Sequence, residues 1–168
     1  MSSSSTRRIQ KASIIPSVRA WTKLIPTQEL SDLMTDPIKD ILVIPAEENI
    51  RNWDILITGP PGTPYAKGKF KLTVAFGPDF PFKAPDFKFV TKTHHPNIDS
   101  DGNLCIGLLK TENWKPSTKI ATVLVSIYDL LEHPNPDDPL VTSIADQYRT
   151  DLAGFNKKAL EYTGKYAR

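Results

Sequence analysis

Proline decides what this chain can become. It fills 15 of 168 positions, about 9% against a usual ~5%. Proline cannot donate to a helix or sheet ladder, and it pushes the residue before it out of the helical region. Regular elements must therefore fit between prolines, with long ordered loops joining them. Gly59-Pro60-Pro61-Gly62-Thr63-Pro64, Pro78–Pro85 and His133–Pro139 read as such loops.

Between the loops the pattern is regular. Ile41–Pro45 and Trp53–Gly59 are short apolar runs bounded by turn residues. Phe70, Leu72, Val74 and Phe76 alternate with Lys69, Lys71, Thr73 and Ala75, the signature of a half-buried strand, and Phe87 and Phe89 continue it. Turns rather than helices separate these four strands, which predicts an antiparallel meander. From Thr91 to Lys119 neither strand nor helix periodicity holds, and a stretch of that length inside a domain is often functional. Ser117-Thr118 then offers a cap for a helix carrying Ile120, Val123, Leu124, Ile127, Leu130 and Leu131. Two more helices are expected over Ser143–Thr150 and from Leu152 to about Tyr166, with Phe155, Ala159 and Tyr162 on one face. The expected fold is α+β: an N-terminal helix, a four-stranded antiparallel meander, a long active-site loop, then three helices.

The N-terminus breaks the pattern. Residues 1–6 are Ser-rich and expected to be disordered. Arg7–Lys11 and Glu29–Met34 look helical, but Ala12–Gln28 between them carries Pro16, Pro26 and no sustained period. At roughly 3 kcal/mol per interior proline, one helix over 7–34 is expected to break. Joining Lys11 directly to Glu29 instead sets Ile9, Leu30 and Leu33 at i, i+4 and i+7 on one face. Lys11-Ala12-Ser13 can be encoded AAG-GCA-AGT, a GC-type splice donor, and Gln28 can be CAG, an acceptor. Residues 12–28 therefore read as a retained intron within a single domain over 7–168.

Composition narrows the function classes. Hydrophobic residues at 39% and charged residues at 24% exclude wholesale disorder. No apolar run approaches the ~18 residues a bilayer span needs. No apolar stretch follows Arg7-Arg8, so no secretory signal is expected. A net charge of +2 is too small to serve as a nucleic-acid footprint. A lone cysteine, Cys105, excludes an internal disulfide framework and a multi-thiolate metal site.

That cysteine follows Asp99-Ser100-Asp101-Gly102-Asn103-Leu104, a polar, turn-prone run in which burial is not expected. His95-Pro96-Asn97 precedes it, and Trp114-Lys115-Pro116 and Pro134-Asn135-Pro136-Asp137-Asp138-Pro139-Leu140 follow. With Tyr65 after Gly59-Pro60, and with Asp79-Phe80-Pro81-Phe82-Lys83-Ala84-Pro85, this ordered set resembles the ubiquitin-conjugating enzymes over Glu29 to Tyr166. The resemblance implies that Cys105 carries the C-terminal carboxyl of ubiquitin as a thioester. It implies that Asn97 donates to the oxyanion formed when lysine attacks, and that Asp138 orients the incoming amine. His95 and Pro96 become turn-shaping residues. Phe82, Pro116 and Ser117 fall where ligases dock, and Arg7, Arg8 and Lys11 where the activating enzyme meets the first helix.

Ubiquitin, an activating enzyme, ligases and protein substrates are the partners implied, in the cytoplasm or nucleus, with no nucleic acid or membrane. No metal or cofactor is expected, since ATP is used upstream. Gly107 departs from the family, in which many members carry Asp two residues past the cysteine. The departure favours thiol-bearing ligases as acceptors over free lysine. A Cys-His hydrolase would need a base from His94, His95 or His133. Conjugation of another ubiquitin-like modifier, and a non-catalytic ubiquitin-binding scaffold, remain alternatives.

Overall fold

The computed structural model describes residues 18–168, with side chains from Pro26 onward. The serine run and Arg7, Arg8 and Lys11 lie outside the described residues. Helix α1 (Val18–Thr35) leads into strands β1 (Ile41–Pro45), β2 (Asn52–Thr58), β3 (Lys69–Ala75) and β4 (Asp86–Phe89). They pair antiparallel in sequence order, with Ile41 opposite Ile57, Trp53 opposite Val74 and Leu72 opposite Phe89. One 3₁₀ turn, Gly107–Leu109, interrupts the long loop before α2 (Ile120–Glu132), α3 (Thr142–Thr150) and α4 (Leu152–Tyr166). The expected α+β meander is what forms.

Alternation places the core on one face of the sheet. Trp53, Ile55, Ile57, Phe70, Leu72, Val74, Phe87 and Phe89 are all buried. They join one cluster with Ile120, Val123, Leu124, Ile127 and Leu131, the apolar stripe of α2.

Two expectations are corrected. The cap of α2 is not Ser117-Thr118: its N-cap is Lys119, with no side-chain cap of its own. Instead Glu29 of α1, almost fully buried, accepts the Ile120 N–H at 2.9 Å, while Lys119 reaches Glu29 at 3.5 Å and Asp32 at 3.2 Å. A carboxylate suits the positive end of a helix, and this contact ties α1 to α2.

The expected break is also absent at Pro26, while Pro16 lies outside the described residues. Helix α1 runs unbroken through Pro26, so Val18–Gln28, part of the segment read as an intron, supplies its first half. Pro26 forfeits one helical hydrogen bond but is buried in register with Leu30 and Leu33. Packing of one face outweighs local propensity there.

Deleting Ala12–Gln28 puts Ile9 four residues before Leu30, the register Pro26 now holds, with its N–H restored. The shortened chain is expected to gain up to about 3 kcal/mol in this helix and to melt several degrees higher. A lower melting temperature would show that residues 12–28 contribute contacts of their own.

Candidate active site

The backbone fixes where Cys105 sits. Its N–H donates to the Asn97 carbonyl at 3.0 Å, and short bridges pair His95 with Ile98 and Ile98 with Leu104. Asp99 closes the intervening turn, accepting the Asp101 and Asn103 N–H groups at 2.9 Å and the Asn103 amide at 2.8 Å. Gly102 has φ of +82°, and a Cβ on it would stand 2.0 Å from the Phe89 carbonyl oxygen, so only glycine fits. Phe89 N–H donates to the Gly102 carbonyl at 2.8 Å, hanging the segment from β4.

The sulfur is partly exposed, as the polar surround predicts. Its S–H donates to Asp138 Oδ2 at 3.7 Å, and Lys110 Nζ ion-pairs with that same oxygen. Partial burial and then the Asp138 charge push the thiol pKa up, with Lys110 opposing, so the free thiol is protonated at neutral pH. The hydrogen bond from Lys110 holds the Asp138 carboxyl below its usual range.

No histidine serves the sulfur. His95 is fully buried: its Nδ1 accepts the Asn97 N–H at 3.0 Å, leaving Nε2–H to donate to the Leu130 carbonyl at 2.9 Å. Burial drives its pKa down to about 4. His94 Nε2 lies 3.0 Å from the Gln147 side-chain oxygen, and His133 Nδ1 lies 3.3 Å from Asp129. All three are committed elsewhere, so Cys-His hydrolase chemistry has no base here.

Asn97 is fully buried and its amide is spent on the loop that carries Asp138. Nδ2 donates to the Asn135 carbonyl at 2.8 Å and the Asp138 carbonyl at 2.9 Å, and Oδ1 accepts the Asn135 N–H at 2.9 Å. The Pro96 carbonyl accepts the N–H groups of Leu140 and Val141 at 2.9 and 3.0 Å, and Arg149 donates to the Pro136 carbonyl and Asp137 at 2.7 Å. In this arrangement the amide clamps the loop, and donating to an oxyanion requires one of its two N–H bonds to open.

Phe82 is 75% exposed, and Pro116 and Ser117 are exposed as well. Trp114 Nε1–H donates to the Pro81 carbonyl at 2.7 Å, joining the two loops that carry them. Phe82, Leu104, Leu109 and Trp114 line one groove next to the cysteine. Asp129, Glu132 and His133, exposed at the end of α2, are the one convergent set of possible metal ligands among the described residues, and none of them bonds the sulfur. Sequence reasoning missed Lys110 and Arg149. The only signal for Lys110 was a cation five residues past the cysteine, because its partner lies in a distant loop.

Fold and site together present one partly exposed thiol beside an acidic loop, with each of the three histidines paired elsewhere. Residues 26–163 match the family model for ubiquitin-conjugating enzyme. The chain is 46% identical over 142 residues to a Schizosaccharomyces pombe protein named ubiquitin-conjugating enzyme E2 14, covering 84% of this chain and 92% of that one. The chain belongs to the ubiquitin-conjugating enzyme family and is a transferase of the ubiquitin conjugation pathway.

Proposed function

We propose that Cys105 takes ubiquitin from an activating enzyme as a thioester and passes it to a substrate lysine or a ligase cysteine. The observation that carries this reading is the sulfur itself, partly open and 3.7 Å from Asp138, with all three histidines bonded elsewhere. A strong base at the sulfur would activate water and waste the thioester.

On loading, the Cys105 sulfur bonds to the ubiquitin carbonyl carbon. The bond to the activating enzyme's sulfur breaks, and the thiol proton leaves with that departing group. On transfer, the acceptor ammonium, with an unperturbed pKa near 10.4, must lose a proton to become nucleophilic, and Asp138 receives it and hands it to water. The amine attacks the carbonyl carbon, the carbon–sulfur bond breaks, and the proton shed by the new amide nitrogen neutralises the thiolate. Asn97 keeps Asp138 in place for this step.

Phe82, Pro116 and Ser117 give ligases an apolar surface, and Arg7, Arg8 and Lys11 give the activating enzyme a basic one. ATP acts upstream, so the chemistry calls for no cofactor on this chain, and cytoplasm or nucleus is the compartment we propose for it. Loaded enzyme chased with free cysteine or free lysine tests the acceptor preference that Gly107 suggests. Discharge to cysteine is expected to be the faster, and equal rates at equal concentrations of reactive nucleophile would refute the preference.

A further inference from the structure

The carboxylate that is to receive an acceptor ammonium already holds one. Lys110 Nζ ion-pairs with Asp138 Oδ2, the same oxygen that the Cys105 S–H addresses. Lys110 closes the 3₁₀ turn that follows the cysteine. Its N–H donates to the Gly107 carbonyl at 3.2 Å, its own carbonyl accepts the Asn113 and Trp114 N–H groups at 2.9 Å, and the Asn113 side chain donates to Gly107 at 2.9 Å. The backbone under Lys110 is thus fixed, and its ammonium is aimed at Asp138.

Gly107 offers Lys110 no second carboxylate. Side chains at i and i+3 of a 3₁₀ turn eclipse one another, so a side chain at 107 would lie beneath Lys110. A Cβ there meets nothing nearer than the Asn113 amide at 4.0 Å. The position is open, yet it holds no carboxylate. Among the described residues Asp138 is the only carboxylate that Lys110 ion-pairs, with Glu112 acting only through longer-range attraction.

We propose that Lys110 is a positioning residue that competes with the acceptor: its ammonium occupies the amine-binding oxygen of Asp138, so an incoming lysine must displace it. This inference rests on the transfer reading above. Because the pair is half exposed, with side chains 35% and 50% accessible, solvent weakens it, and its hold is worth up to about five-fold in an equilibrium. That discourages discharge to small amines and yields to an acceptor delivered with binding energy of its own. Carbon–sulfur cleavage and proton transfer proceed as already written, and Lys110 leaves unchanged.

The test is single-turnover discharge of the full chain, loaded with ubiquitin by activating enzyme and ATP, into rising concentrations of free lysine. Lys110→Met is expected to lower the half-saturating lysine concentration three- to five-fold with little change in the maximal rate. Gly107→Asp, which offers Lys110 a second carboxylate, is expected to act in the same direction. Lys110→Arg, which can pair with Asp138 again, should return the wild-type value. In an Asp138→Asn background, Lys110→Met should have no effect. An unchanged or higher half-saturating concentration in Lys110→Met, or a gain that persists without Asp138, overturns the competition. Failure of the wild-type chain to form a thioester overturns the transfer reading along with it, so the two failures are distinguishable.

Discussion

Asn97→Ser is expected to slow discharge of ubiquitin to lysine by about 100-fold while loading of Cys105 changes only a few-fold. Asn97 makes three hydrogen bonds to the loop over 135–138, and all three are buried or part-buried. Serine cannot span them. Each buried polar group left unpaired costs about 1–3 kcal/mol, so the variant should also lose roughly 2–4 kcal/mol of stability. The rate falls because Asp138 is no longer held, and misplacing a reacting group by about 1 Å can cost 100-fold. Loading needs the sulfur more than the amine-orienting carboxylate, and the Cys105 N–H bonds the Asn97 backbone carbonyl, which serine retains. Comparing Asn97→Ser in wild-type and Asp138→Ala backgrounds separates clamp from oxyanion donor. A clamp predicts little further loss once Asp138 is gone, whereas full additivity would show direct donation to the oxyanion.

Acid should destabilise the fold through His95. Its folded pKa of about 4 lies below the ordinary 6.5 because burial disfavours the imidazolium. The unfolded chain therefore binds the proton first as pH falls. Stability is unaffected above pH 6.5, declines as pH drops from 6.5 toward 4 with a slope approaching 1.4 kcal/mol per unit, and flattens below. The integrated loss is about 3 kcal/mol. His94, also lowered by burial, adds in the same direction. Chemical denaturation at pH 7, 5.5 and 4 reads the slope. His95→Gln is expected to be less stable at neutral pH but to lose markedly less on acidification. An unchanged slope would mean that other groups dominate this window.

The strands were legible because Phe70, Leu72, Val74, Phe87 and Phe89 repeat with the period of a sheet, and one buried face specifies register. Helix α2 was legible for the same reason at the helical period, but its cap was not. Glu29 sits far from Ile120 in the chain, and no local rule couples them. The unbroken α1 was misread because Pro26 carries a strong local penalty, while the burial that offsets it is tertiary. At the site, the exposure of Cys105 followed from its polar surround. The Asn97 clamp and the Lys110–Asp138 pair did not, because each joins segments that meet only once the loop over 91–119 is folded.

Loading the wild-type chain and Cys105→Ser with activating enzyme, ATP and ubiquitin, and resolving the products with and without reductant, tests the thioester most directly. The wild-type adduct should form and vanish under reductant. The serine variant should give only an adduct that survives reductant and yields to hydroxide, as an ester would. A reductant-sensitive adduct on Cys105→Ser, or none on the wild-type chain, would contradict a thioester carried by this sulfur.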